Sequence, residues 1–400
     1  MQRGQSKKVL VAMSGGVDSS VAAALLKKQG YFVVGAYMKN FSPESWEGLI
    51  EADCPWEQDV ADVQVVCEKL GIEFRSFNFE KEYAEKVIEY FFREYGAGRT
   101  PNPDVMCNKE IKFGIFLQKA KQLGFDYVAT GHYARVRSVQ SLRGYSRSNP
   151  EIATASTPRD DRIIYELLKG ADPKKDQSYF LYTLNQEQLS RVLFPIGEYT
   201  KVQIRQMAKE FGLPNWNKKD SQGVCFIGHI KLREFLRQRI PEKVGEIVEA
   251  QSGRVIGQHP GAWYYTLGQR QGIGIGGGQP YYVAQKDVLN NKLTVVKNAS
   301  PPLLNVRGGE GELYSKVAIL NSVHWIDKVP KLPLRCRAKI RYQQPDQTCA
   351  ILPSPGVGRV AGGRERSLLV KFSQPQFAIA PGQSIVFYRA DQCLGGGVVV

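Results

Sequence analysis

The chain has 400 residues, more than one ordinary domain holds and enough for two or three. It is 42% hydrophobic and carries 54 Lys plus Arg against 39 Asp plus Glu, a net charge of +15. That excess favours a polyanionic partner, nucleic acid above all, over a merely solvated basic surface. No apolar stretch is long enough for a membrane span, and the N-terminal apolar run is only a strand long, so neither a membrane partner nor a signal peptide is expected. Seven scattered cysteines with no C-x-x-C pair argue against a disulfide framework or a four-cysteine zinc site, and for a reducing, cytoplasmic setting.

Apolar strand patterns and helical patterns alternate from residue 9 to about 136. "VLVAM" reads as a strand and "SSVAAALLKKQG" as a helix. "FVVGAYM", "EQDVADVQVVCEKLG", "IEFRSFNF" and "KEYAEKVIEYFFREY" repeat the alternation. "KEIKFGIFLQKAKQLG" is a further helix and "FDYVATGHYARV" a further strand. This order predicts a doubly wound parallel sheet whose ligand lies beyond the carboxyl ends of the strands. Residues 138–160, rich in Ser, Arg, Thr and Pro, read as a surface insertion. "KVQIRQMAKEFGL" and "IKLREFLRQRI" are later helices, separated by the loop "PNWNKKDSQGVCFIGH". Beyond about residue 244 helical periodicity gives way to short strands, and 305–400 reads as a small β-barrel or sandwich. The division expected is 1–229, 230–304 and 305–400.

Three stretches carry chemistry. "MSGGVDSS" (13–20) joins the first strand to the first helix with little side-chain bulk, a natural seat for phosphate at a helix N-terminus; an ordinary strand-to-helix turn is the alternative. "GRTPNPDVMCNKEIKF" (98–113) holds Asn102 between two prolines, with Asp104 and Cys107 three apart at a helix start. Asp104 is either a helix cap or a functional acid. Cys107 is either a small buried hydrophobe or an activated thiol. "KDSQGVCFIGH" (219–229) sets Cys225 in a polar loop near Lys218 and Lys219, which favour a thiolate. The other five cysteines read as structural.

The string S-G-G-V-D-S resembles the pyrophosphate loop of the N-type ATP pyrophosphatases. Taken with "NPDVMCNKEIKF", "TGHYA", "KDQSYFL", "GVCFIG", "YTLGQRQG", "IRYQ" and "PGQSIVFY" in this order, the chain resembles the bacterial tRNA-specific 2-thiouridylases from about residue 8 to about 390. It departs mainly at 138–160 and in the terminal glycine–valine tail. The resemblance implies an adenine nucleotide α-hydrolase-like PP-loop domain, a small central domain and a C-terminal barrel. It implies ATP-dependent 2-thiolation of the wobble uridine of tRNA, by adenylation of the C2 oxygen and sulfur transfer from a cysteine persulfide. Ala12, Met13, Ser14, Gly15, Gly16, Val17, Asp18 and Ser19 would hold the ATP phosphates, with Asp18 orienting Mg²⁺–pyrophosphate. Met38 and Gly131 would line the nucleotide site. Asn102, Pro103 and Asp104 would meet the target base, with Asp104 a candidate acid or base. Cys225 would carry the persulfide with Cys107 as its partner, loaded by a cysteine desulfurase or a sulfur-relay protein. His132, Lys175, Asp176, Gln177, Arg341, Tyr342 and Gln383 would contact or position tRNA, although a hydrogen-bonded structural role suits His132 equally. No metal ligand set is expected beyond the ATP-bound ion. An amide-forming PP-loop synthetase, a non-catalytic RNA-binding protein and an iron–sulfur cluster on Asp104, Cys107 and Cys225 are the other readings.

Overall fold

The first apolar run forms β1 (Lys8–Met13), which passes through the glycine turn into α1 (Val17–Lys28). β2 (Phe32–Lys39), α2 (Trp56–Leu70) and β3 (Glu73–Asn78) follow. A long helical stretch then comprises α3 (Glu80–Tyr83), a wide π turn and α4 (Glu89–Gly96). The next stretch is α5 (Pro103–Met106), a π segment (Cys107–Phe116) and α6 (Leu117–Gln122), ending at β4 (Tyr127–Thr130). β5 (Ala134–Gln140) and β6 (Ile163–Lys169) form an antiparallel hairpin, and α7 (Gln186–Leu189), β7 (Val192–Leu193) and α8 (Lys201–Glu210) come after it. The computed structural model describes residues 6–42, 56–140, 162–220, 232–276, 278–297, 313–354 and 367–400. No helix among them is long and apolar enough to cross a membrane.

The parallel sheet has the order β3-β2-β1-β4-β7. Every β1 residue from Val9 to Met13 is buried, as an interior strand covered on both faces must be. Val9, Val11 and Met13 pack toward α1, α2 and α8, while Leu10 and Ala12 pack toward the helices of residues 80–122. The sheet is therefore doubly wound, and the chain reverses its direction of travel between β1 and β4. The crevice beyond the carboxyl ends of those two strands is the topological switch point.

"FDYVATGHYARV" is not one strand. It breaks at Gly131, so that Tyr127–Thr130 joins the parallel sheet and Ala134–Gln140 joins the antiparallel one. A Cβ on Gly131 would lie 2.7 Å from the Ser19 nitrogen, so only glycine lets β4 end against the start of α1. The strand also carries on to Gln140, past the expected insertion boundary at 138; residues 141–161 lie outside the described residues.

After α9 (Leu232–Arg237), β8 (Gly245–Glu249), β9 (Val255–His259), β10 (Tyr281–Asp287) and β11 (Lys292–Lys297) form a sheet of order β10-β11-β8-β9. β12 (Tyr314–Trp325), β13 (Leu334–Lys339), β14 (Gln347–Pro353), β15 (Ser367–Phe377), β16 (Ser384–Arg389) and β17 (Gln392–Val399) form an antiparallel barrel, closed where β17 meets β12. The glycine–valine tail is thus the closing strand. A Cβ on Gly395 would fall 2.1 Å from the His324 carbonyl oxygen, and one on Gly396 2.6 Å from that of Ile385. The glycines let β17 lie close to both of its neighbours at once.

The barrel is not a detachable tail. β6 pairs with β17 at Leu167 and Leu168, and Leu181 and Tyr182 share one buried cluster with Val386, Tyr388 and Cys393. Across this joint Lys339 Nζ donates to Asp176 Oδ2 at 3.2 Å, while Asp176 Oδ1 accepts from the N–H groups of Gly170 and Ser178. Both charged side chains are almost wholly buried. Lys339→Ala would strand the carboxylate, and the expected loss is about 3 kcal/mol of unfolding free energy. A denaturant midpoint equal to that of the unaltered protein would contradict this.

Candidate active site

The turn at 14–16 is tied from within. Ser19 Oγ donates to the Gly16 carbonyl and accepts from the Ser14 N–H, both at 3.2 Å, and Ser20 Oγ donates to the same carbonyl at 3.0 Å. From α8's far loop, Asn215 Nδ2 donates to the Gly15 carbonyl at 2.9 Å and to Ser20 Oγ at 3.0 Å. Gly15 has φ +71° and approaches the Asp59 backbone of α2 so closely that a side chain there would be strained and crowded. Gly16 caps α1 without any side-chain hydrogen bond. The first N–H groups of α1 therefore face the crevice without an intrahelical acceptor, a donor set that suits phosphate oxygens. Ala12, Met13, Val17 and Met38 have buried side chains, so what they can offer a nucleotide is backbone.

Asp18, in the first turn of α1, is the charged centre of this end of the sheet. Lys201 Nζ donates to its two carboxylate oxygens at 2.7 and 2.9 Å, and the Tyr133 hydroxyl donates to Oδ1 at 2.9 Å. Burial, and then the Asp18 charge, push the Tyr133 phenol well up, keeping it a donor. Lys201 also contacts Asp220 at 2.8 Å, and Asp220 pairs with Lys175 at 2.7 Å and Arg205 at 2.8 Å. Burial alone would raise the Asp220 carboxyl, but hydrogen bonds from Lys175 and Lys201 outweigh it and hold the group at about 2. An ionic chain thus runs from the phosphate turn to Lys175.

Cys225 lies outside the described residues, as does the rest of 221–231. Asp220 is the last described residue before it.

The 102–107 segment differs from expectation in one respect. Asn102, not Asp104, caps α5: its Oδ1 accepts from the Val105 N–H at 3.2 Å, and Pro103 takes the first helical position, where its missing N–H costs nothing. Asp104 lies in the first turn, one helical turn before Cys107 and on the same face. Cys107 is fully buried, against the helices that cover the sheet. From Cys107 to Phe116 the helix runs in the wide π form often found at functional sites. Gly114 permits it, since a Cβ there would stand 2.9 Å from the Lys109 carbonyl oxygen.

The residues expected to face tRNA divide into two groups. His132 and Asp176 are buried. His132 Nδ1 lies 2.7 Å from Thr130 Oγ1, its ring is flanked by Phe113 and Phe194, and burial lowers its pKa well below the usual imidazole range. A neutral ring so enclosed matches the structural alternative. Asp176 belongs to the buried pair with Lys339, and Gln177 Oε1 accepts the Tyr133 N–H at 3.0 Å. His132 and Asp176 are thus enclosed by protein partners, while Gln177 is half-buried. Lys175 and Tyr342 are half-buried and Arg341 is exposed: Tyr342 Oη donates to the Lys175 carbonyl at 3.2 Å, and Arg341 donates to the Ala378 carbonyl at 3.1 Å. Gln383 Nε2 donates to the carbonyls of Thr100 and Pro101 at 2.8 and 3.3 Å, joining the barrel to the segment before Asn102.

Three family models cover the chain: the tRNA methyl transferase HUP domain over residues 7–229, the tRNA methyl transferase PRC-barrel domain over 233–297, and the aminomethyltransferase beta-barrel domain over 315–399. The tRNA-specific 2-thiouridylase MnmA of Francisella tularensis subsp. novicida (strain U112) is 46% identical over 99% of this chain and 100% of its own. That of Geobacillus thermodenitrificans (strain NG80-2) is 47% identical over 98% and 94%. The chain belongs to the MnmA family of tRNA-specific 2-thiouridylases. The HUP model takes in the parallel sheet, and the beta-barrel model runs through the closing glycine strand to residue 399. A solved 4-thiouridine synthetase–RNA complex with bound ATP aligns with 59% of this chain and 50% of that one at 16% identity, with a TM-score of only 0.32.

The sequence patterns of this MnmA family member leave Lys201, Tyr133, Asn215 and Asp220 unmarked. Lys201 did carry a signal. Thr200 and Gln203 form a capping box, and a lysine at the first helical position beside it opposes the helix dipole unless a carboxylate compensates. The carboxylates are Asp18 and Asp220, 183 and 19 residues away.

Proposed function

We propose that the chain uses ATP to adenylate the C2 oxygen of the wobble uridine of tRNA and replaces that oxygen with sulfur from a persulfide on Cys225. The family relation supports 2-thiolation of tRNA. The observation that carries the finer reading is the ionic chain from Asp18 at the phosphate turn through Lys201 to Asp220, at the foot of the segment bearing Cys225. It supports reading the glycine turn and the chain that leads on from Asp220 as parts of one site.

Uridine C2 is a urea-like carbonyl whose oxygen leaves poorly. Attack of that oxygen on the α-phosphorus of ATP releases pyrophosphate and makes AMP the leaving group. The open N–H groups of α1 bind the phosphates. Asp18 is the carboxylate that would hold the Mg²⁺ carried with ATP, an ion that would supply positive charge to offset the charge of the pyrophosphate. The terminal persulfide sulfur then attacks C2 as the anion, and the C2–O bond to AMP breaks. The Cys107 thiolate attacks Cys225 Sγ and cleaves its bond to the transferred sulfur. 2-Thiouridine leaves with that electron pair, and a Cys107–Cys225 disulfide remains for an external thiol reductant to open. Asn102, at the helix cap, and Asp104, one helical turn before Cys107, would meet the base, with Asp104 as acid or base.

Two of the matching family models are titled for methyl transfer, so a methylated base is the second reading. Nucleoside analysis separates them. Unmodified tRNA incubated with the protein, ATP, a cysteine desulfurase and cysteine is expected to gain 2-thiouridine, and none without ATP. Methylated uridine in the presence of S-adenosylmethionine, with no 2-thiouridine under either condition, would overturn the proposal.

A further inference from the structure

Thr100 lies two residues before Asn102, in the catalytic unit, yet each of its polar groups bonds to another part of the molecule. Its N–H donates to the Pro381 carbonyl of the barrel at 2.8 Å. Its carbonyl accepts from Gln383 Nε2, also of the barrel, at 2.8 Å. Its hydroxyl lies 3.1 Å from that of Thr266, which stands between β9 and β10 of the middle unit. Gly382 makes the approach possible: φ is +88°, and a Cβ there would fall 2.8 Å from the Thr100 carbonyl oxygen and 2.9 Å from its nitrogen. Immediately before the joint, Arg99 forms a two-pronged ion pair with Glu94 of α4, at 2.5 and 3.0 Å. Immediately after it, the Asn102 side chain hydrogen-bonds to the Tyr179 hydroxyl, which itself donates to the Ser384 carbonyl of the barrel.

We infer that Thr100 and Thr266 are positioning residues for the sulfur-transfer step: the barrel and the middle unit together set the placement of 102–107 through the three bonds of Thr100. Thr100 is nearly buried, so water is a poor substitute for any of the three. Asn102, Asp104 and Cys107 follow it with no intervening flexible residue, and Pro101 and Pro103 stiffen the path. A shift at Thr100 is therefore passed on to the groups that meet the base. The phosphate turn is tied by Asn215 and by its own serines, so it does not share this dependence.

The inference rests on the proposed thiolation, and its test separates the two. Thr100→Val and Thr266→Val each delete one hydroxyl with little change of shape; Thr100→Ser and Thr266→Ser keep it. Both valine variants are expected to lose about tenfold in kcat for 2-thiouridine formation, with KM for ATP within about twofold, because small misplacements of reacting groups are costly. Both serine variants are expected to retain wild-type kcat. The double valine variant is expected to be no worse than either single one, since all three lack the same bond. Amide hydrogen exchange at Val105–Cys107 is expected to quicken in the valine variants, and that readout needs no tRNA and no thiolation. Wild-type kcat in both valine variants, equal losses in the serine variants, or unchanged exchange at Val105–Cys107 would overturn the inference. If Thr100→Val fails to fold, Thr266→Val removes the same bond from the other side.

Discussion

Asp18→Asn is expected to fold normally and to lose pyrophosphate release by at least about a hundredfold, the scale seen when one preorganised electrostatic group is removed from a reaction centre. The substitution keeps the shape of the side chain and an oxygen for the Tyr133 hydroxyl and Lys201 to reach. It removes the negative charge that those groups surround. Lys201 keeps Asp220 as a partner, so the variant leaves no orphaned buried cation, and the far-ultraviolet spectrum and melting temperature should barely change. tRNA binding should also persist, since none of the barrel contacts passes through Asp18. Pyrophosphate release at the unaltered rate by a folded Asp18→Asn protein would remove Asp18 from the nucleotide site and leave the Lys201 pair a purely structural one.

The second large effect divides two cysteines. Cys107→Ser is expected to accumulate a persulfide on Cys225 when incubated with a cysteine desulfurase and cysteine, whereas Cys225→Ser accumulates none on Cys107. The structure supplies a reason beyond the polar, glycine-containing sequence around Cys225. Cys107 is fully buried beneath the helices over the sheet, where no external protein can hand it sulfur. Such burial supports the part the proposal gives it, that of a thiol acting on a sulfur brought to it. Both variants should fall to background in multiple turnover, because one lacks the carrier and the other lacks the group that releases the product. Intact-mass analysis reads the added sulfur directly. A stable persulfide on Cys107 in the absence of Cys225 would reverse the roles, and full turnover by either variant would remove the two-cysteine mechanism.

What the sequence made legible was local. The order of apolar runs and helical patterns was enough for the doubly wound sheet, because β1 is buried on both faces and shows it as an unbroken run. The glycine turn was readable because only small residues fit between α1, α2 and the end of β4. What escaped was long-range. Lys201 meets Asp18 from 183 residues away, and Gln383 meets Thr100 from 283, so no window of sequence contains either contact. Asp176 and His132 show the same limit in reverse. A polar residue in a polar motif looks exposed, and only the packing of Lys339 on one and of Phe113 and Phe194 on the other reveals them as buried. The closing strand was missed for a related reason. "LGGGVV" has weak strand propensity and forms a strand because its neighbours leave no room for side chains.

The claim that one site first adenylates the base and then delivers sulfur is tested most directly with Cys225→Ser, tRNA and ATP in a single rapid-quench experiment. With the nucleophile absent and the phosphate turn intact, the expected result is a burst of pyrophosphate approaching one per enzyme. It should depend on tRNA and be accompanied by AMP attached to the tRNA, with no 2-thiouridine. A folded variant that gives no tRNA-dependent burst, or that gives 2-thiouridine, would contradict the account.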